Sequence, residues 1–203
     1  MSAPLTADTF AADVSRETRD RLSVLVDLLG RWNPKINLVA PSTLPDVWRR
    51  HVLDSWQVVD LAPPGTRNWI DIGSGGGFPG LVVAASGRFA VTLIESDARK
   101  CVFLREAARQ MGVAIDVRTA RIESVRDLQA NVVSARALAP LEKLLPLAAP
   151  LLAPGGRGIF LKGQDVEREL TAATKYWTFS HQQHPSRSDP RGTVLVIEEL
   201  RQR

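Results

Sequence analysis

Apolar positions at Phe10, Val14, Leu22, Leu25, Val26 and Leu29 recur at three- and four-residue spacing with charges between them. This predicts an amphipathic helix near the amino terminus, with Gly30 placed to end it. An irregular stretch, Trp32-Asn33-Pro34-Lys35-Ile36-Asn37-Leu38, follows. A second helix is expected to begin after Ser42 or Thr43, with Pro45 and Asp46 near its start. It would run through Trp48, Val52, Leu53 and Trp56 to about Leu61, before Pro63-Pro64-Gly65 marks a boundary. Four-residue steps put Trp48, Val52 and Trp56 on one buried stripe. His51 and Asp54 fall beside it at i, i+3 spacing, where they could pair.

From Asn68 the pattern changes to short apolar runs alternating with helical stretches. Strands are expected at Trp69–Ile72, Val91–Glu95, Val113–Val117, Asn131–Ala135 and Gly158–Leu161. Helices are expected at Gly80–Ala85, Ala98–Met111 and Leu141–Leu152. Tyr176–Ser180 and Thr193–Leu200 read as a closing pair of strands with no helix between them. Such alternation means a mostly parallel sheet with helices on both faces, an α/β architecture, and the final hairpin adds an antiparallel edge. The expected organisation is a helical extension over 1–66 and an α/β domain over 67–203.

Composition narrows the class. The chain of 203 residues is 44% hydrophobic and 24% charged, enough for a sizeable core. The single Cys101 excludes an intrachain disulfide and a multi-cysteine metal site, and three histidines leave little for zinc, so no structural metal is expected. No apolar run reaches the length of a membrane span, and residues 1–20 lack a signal-peptide core. A cytoplasmic, reduced, bacterial-type enzyme is the simplest class. Net charge is +4, and Arg outnumbers Lys by 21 to 5. The charge lies in the second part of the chain: residues 1–66 sum to −1 and residues 67–203 to +5. Guanidinium forks suit a phosphate-bearing partner, but Arg codon preference in a GC-rich genome gives the same excess. Charge alone does not settle the partner.

The chemistry concentrates in Asp71-Ile72-Gly73-Ser74-Gly75-Gly76-Gly77-Phe78-Pro79-Gly80. Glycines directly after a strand let the backbone turn tightly and approach a ligand, and the following helix presents free N–H groups to it. Gly75, Gly77 and Gly80 fit the spacing of dinucleotide enzymes. Asp71, Gly73, Gly75 and Gly77 fit the acidic loop of S-adenosylmethionine methyltransferases. A carboxylate ending the strand would repel a pyrophosphate, which favours the second ligand. Asp71 could instead help hold the cofactor's cationic amino-acid end, directly or through water. Glu95 ends the second strand, 22 residues after Gly73, where a carboxylate can accept from ribose hydroxyls.

Together with several further segments, these residues resemble the bacterial small-subunit rRNA guanine-N7 methyltransferases, the glucose-inhibited division protein B family. The resemblance covers nearly the whole chain. It rests on Arg31-Trp32-Asn33 through Asn37-Leu38, Arg50-His51-Val52-Leu53-Asp54-Ser55, and Gly73 to Gly80 with its Phe78-Pro79-Gly80 ending. It continues in Glu95-Ser96, Lys100, Phe103-Leu104, Arg136-Ala137 and Leu161-Lys162-Gly163-Gln164. It implies a Rossmann-like class I methyltransferase of seven strands with an N-terminal helical extension. It also implies S-adenosyl-L-methionine as cofactor and a guanine N7 of 16S rRNA, free or in the small ribosomal subunit, as acceptor. A monomer is the expected state. The family's cofactor contacts map onto Gly73, Phe78, Ile122, Glu123 and Arg136. Arg136 and Lys162, each closing a strand at the sheet's carboxyl edge, become the candidate catalytic and RNA contacts.

Around these, Trp32 is the tryptophan best placed to offer a base an exposed platform. Trp48, Trp56, Trp69 and Trp177 sit in apolar periodicity and read as core. His181 and His184 receive no role; the Arg and Ser content of the loop Pro185-Ser186-Arg187-Ser188-Asp189-Pro190 would suit RNA, but a solvated loop is the preferred reading. Structural locking is preferred over catalysis for His51 and Asp54.

Overall fold

The structure is a computed structural model that describes residues 5–7, 9–10 and 14–203. Part of the stretch 1–20 read as lacking a signal-peptide core, and the segment 11–13 read as helical, lie outside the described residues. Helix α1 spans Arg16–Ile36, with Ser15 as N-cap accepting from the Thr18 amide at 3.2 Å. It does not end at Gly30. It continues because Trp32 and Ile36 still pack on the core, and it stops at Asn37, which adopts the left-handed conformation. Asn33 fixes the exit: its Oδ1 accepts from the Leu38 and Val39 amides at 2.8 and 2.9 Å.

The expected second helix is a chain of four short elements of three kinds. A 3-10 turn covers Pro41–Asp46, a π turn Trp48–Leu53, a short helix α2 Asp54–Trp56, and a second 3-10 turn Val59–Leu61. Trp48 and Trp56 nevertheless share a partner, their rings lying 5.7 and 5.9 Å from that of Phe10, and Val52 is wholly buried.

Seven strands follow: β1 Asn68–Ile72, β2 Ala90–Glu95, β3 Ile115–Thr119, β4 Ala130–Arg136, β5 Leu152–Lys162, β6 Trp177–Pro185 and β7 Thr193–Gln202. Between them lie α3 Gly80–Ala85, α4 Ala98–Met111, α5 Leu141–Ala148 and α6 Val166–Ala173. β3 begins two residues later than expected. α6 is an element the pattern reading did not anticipate, although Val166, Leu170 and Ala173 form its buried stripe. The strand order is β3-β2-β1-β4-β5-β7-β6. The closing hairpin occupies one side of the sheet, and its antiparallel strand β7 lies between β5 and the rim strand β6.

Alternation along the strands feeds two cores. Trp69, Leu93, Val132 and Ile159 face α1, α3, α4 and the π turn, whereas Ile70, Ile94, Val133 and Phe160 face α5 and α6. The extension therefore completes one of the two layers covering the sheet. Trp32 belongs to that layer, half-buried with its ring 5.7 Å from Phe103, so it is not the free platform expected. The order of strands reverses between β1 and β4, the place where open α/β sheets form a crevice at their carboxyl ends.

Candidate active site

A cavity of about 1000 Å³ opens at that crevice. Its floor is the loop after β1. Gly73 and Gly75 carry positive φ, +65° and +52°, which a side chain at either would strain. A Cβ on Gly76 would stand 3.0 Å from the Leu38 carbonyl oxygen, so the loop backbone presses directly on the exit of α1. Phe78 completes this side, its ring 5.1 Å from His51.

Glu95 borders the cavity with both carboxylate oxygens engaged. Oε2 accepts from the Gly75 amide and Oε1 from the Asp97 amide, each at 2.8 Å. The residue thereby fixes the glycine loop against β2. Ile122 and Glu123, on a 3-10 turn after β3, line the same wall with Lys100 and Arg121.

Asp71 lies elsewhere. It is wholly buried and does not line the cavity, so a direct hold on a ligand's amino group is not the role this geometry gives it. Ser134 Oγ donates to Asp71 Oδ1 at 2.6 Å, and Trp69 Nε1 donates to Ser134 Oγ at 2.8 Å. Burial pushes its carboxyl up to about 6, against the opposing hydrogen bond from Ser134. Gly77 is also a support: a Cβ there would stand 2.4 Å from Leu81 Cδ1, where α3 packs beneath the loop.

The opposite wall comes from three distant segments. Arg136 closes β4, and its Nη1 donates to the Arg50 carbonyl at 3.2 Å and to Asp54 Oδ2 at 3.4 Å. Its Nη2 meets His51 Nδ1, and its Cζ lies 5.5 Å over the Phe78 ring. Asp54 Oδ1 accepts from Ser186 Oγ and Ser188 Oγ in the β6–β7 loop at 3.0 and 2.7 Å. Arg50 Nη1 donates to Asp189 Oδ2 in the same loop at 2.7 Å. His51 and Asp54 thus do not pair with each other; the π turn aims His51, and the first residue of α2 aims Asp54, at Arg136. Lys162 lines the cavity, but its ammonium is engaged by Glu169 at 2.5 Å and by the Ala139 carbonyl at 2.9 Å. Glu169 also accepts from the Leu141 amide at 2.7 Å, so this pair braces the starts of α5 and α6. Of the expected site residues, Gly73, Gly75, Phe78, Glu95, Ile122, Glu123, Arg136 and Lys162 meet at the cavity. Pattern reading missed Thr43 and preferred a solvated loop over Pro185–Pro190, whereas Ser186, Ser188 and Asp189 line the cavity.

Among the described residues, no three potential metal ligands cluster, and no helix is long and apolar enough to cross a membrane. The sequence profile of the GidB family, described as rRNA small subunit methyltransferase G, matches residues 18–191. The chain belongs to this family. Its GidB relatives include a ribosomal RNA small subunit methyltransferase G of Paramagnetospirillum magneticum, 52% identical and covering 92% of this chain and 91% of that protein. The protein of the same name from Parvibaculum lavamentivorans is 52% identical over 96% of this chain and 89% of its own length. The fold is that of class I methyltransferases. The N-methyltransferase NodS from Bradyrhizobium japonicum, solved with S-adenosyl-L-homocysteine, superposes with a TM-score of 0.57 at 15% identity, covering 84% of this chain and 97% of that one. A TehB-like methyltransferase from Corynebacterium glutamicum reaches 0.59 at 13% identity, covering 87% and 98%.

Proposed function

We propose that this GidB chain transfers a methyl group from S-adenosyl-L-methionine to N7 of a guanine in a loop of small-subunit (16S) rRNA. The observation that carries the reading is the cavity itself, in which a glycine cradle and a loop-fixing glutamate face an arginine held from the helical segment ahead of the sheet. The residues fit the cofactor. A Cβ on Gly75 would meet no protein atom closer than 3.7 Å, so the space beside this backbone is left to a ligand. Gly73, Gly75 and Phe78 would hold one end, Glu95 would accept from ribose hydroxyls on its remaining lone pairs, and Ile122 and Glu123 would flank the adenine. Asp71 and Gly77 keep the cradle in shape from below. When bound, the cofactor supplies a methyl group on a positively charged sulfur.

Guanine N7 carries a lone pair and no proton, so no side chain has to create the nucleophile. The residues have to orient it and keep it near, and effective molarities of about 10⁵ to 10⁸ M are available from positioning alone. Arg136 would meet a base oxygen or phosphate of the target nucleotide, while Lys162 holds the cavity wall through Glu169. The base must leave its stack to enter. On this reading the protein acts in the cytoplasm as a monomer, with residues 1–66 an extension of the methyltransferase domain 67–203.

The test is transfer of labelled methyl to small-subunit RNA from cells that lack this gene, followed by nucleoside analysis. Label in 7-methylguanosine at one loop position is the expected result. Absence of label from both naked RNA and purified subunits would overturn the proposed acceptor.

A further inference from the structure

Arg136 has five N–H donors and accepts nothing. Nη1 gives both of its hydrogens to the Arg50 carbonyl and Asp54, and Nη2 gives one to His51 Nδ1. Nδ1 must therefore be the bare nitrogen of the imidazole, with the ring proton on Nε2. The far side of the ring agrees. Thr43 Oγ1 spends its own hydrogen on the Ala40 carbonyl at 2.7 Å, which leaves its lone pairs to accept from His51 Nε2 at 2.7 Å. One tautomer satisfies both neighbours, and it is neutral.

Neutrality matters for what lies beyond. Asp54 already faces the guanidinium, and a second carboxylate in place of His51 would quench its charge. A neutral acceptor directs the group without doing so. Nε–H and the second Nη2–H make no hydrogen bond among the described residues, and Arg136 lines the cavity. Those two donors are unspent.

We infer that His51 is a positioning residue: as a neutral hydrogen-bond acceptor, locked by Thr43, it sets the direction in which Arg136 presents its unspent donors to the cavity. This rests on the reading of Arg136 as the group that meets the substrate. The ring is buried and packs at a tilt against Phe78, over which the guanidinium also lies, so imidazole, guanidinium and glycine loop form one packed unit. Burial, then Arg136, then Arg50 drive the imidazole down to about 3, in keeping with a ring that stays uncharged.

The test compares His51→Leu with His51→Asn, whose Oδ1 stands near the former Nδ1. Methyl transfer to small-subunit RNA is read with binding of S-adenosyl-L-homocysteine and a thermal melt. His51→Leu is expected to lose about 10- to 100-fold in kcat, the scale of an ångström misplacement, with little change in cofactor affinity. His51→Asn should regain most of that loss. Equal losses in both variants, or none in His51→Leu, overturn the inference. Nitrogen-15 spectra of the imidazole in the intact wild-type chain decide independently, even if His51→Leu fails to fold. A proton on Nε2 and a bare Nδ1 at pH 6 are expected; a doubly protonated ring, or a proton on Nδ1, overturns it. If the wild-type chain methylates no RNA, the functional reading fails, and the spectrum still judges the hydrogen-bond arrangement.

Discussion

Asp71 and His51 are both buried, and burial acts on them with opposite consequences for stability. The Asp71 carboxyl is raised from 3.8 to about 6, so the folded chain holds this proton to higher pH than the unfolded chain. Its contribution is full below about 3.8 and is lost as pH rises through about 6. The His51 imidazole falls from 6.5 to about 3, so the unfolded chain takes up its proton first. That contribution is full above 6.5 and is lost as pH falls toward 3. Denaturant unfolding between about pH 4 and 7 checks both signs. The advantage of wild type over Asp71→Asn should shrink as pH rises, and its advantage over His51→Asn should shrink as pH falls. Differences that stay constant with pH would contradict both shifts. Space is equally restrictive at Gly80, where a Cβ would stand 2.3 Å from Leu93 Cδ2 and 2.9 Å from Asp71 Oδ2. Gly80→Ala is expected to lower stability by about 1–3 kcal/mol, the scale of overpacking in a filled core, as read in a thermal melt.

At the scale of elements, the site depends on which segments are tied to which. The π turn carries Arg50 and His51, and the start of α2 carries Asp54, to one side; Asp54 joins β4 to the β6–β7 loop through Arg136, Ser186 and Ser188. Arg157 ties the end of the same helical segment to the sheet, donating to the Leu61 carbonyl and to Glu198, both at 2.6 Å. Lys162 does similar work between β5 and α6, with its side chain 8% exposed. Replacing it with Met leaves Glu169 without its cation, and the expected cost is about 3 kcal/mol. The salt dependence of RNA binding should stay as in wild type. A drop in the salt slope by about 0.7, one phosphate's worth for a single strand, would instead place the ammonium on RNA.

For the whole molecule, the relevant quantities are the crevice and the charge around it. Two cores, one on each side of the sheet, hold β1 and β4 together where their connections diverge, and this keeps the cavity open at their carboxyl ends. The net charge of +4 does not by itself identify a partner. Its ionic-strength signature does: if the chain binds its RNA through phosphates, log K should fall with log salt by about 0.7 per phosphate neutralised. An affinity flat between about 50 and 200 mM salt would favour an acceptor other than RNA. A filter-binding or fluorescence titration at several salt concentrations is sufficient.

Much of this was written locally. Strand and helix periods differ, and glycines after a strand have few other uses, so α3 and α4 fell on their expected residues and Gly73, Gly75 and Phe78 fell on the cavity. The errors arose where local signals are overridden. Gly30 could end a helix, but Trp32 and Ile36 gained more from packing on α4 and the core. The place of Asp71 in the motif is visible, whereas the burial that keeps it from lining the cavity is not. The partners of Arg136 are a further case: His51 and Asp54 lie 85 and 82 residues away in sequence. Periodicity determined which face of each segment is apolar, and thereby the elements and their order. Only the tertiary structure decided which polar groups meet across those faces, because hydrogen bonds and burial depend on distances that no spacing along the chain encodes.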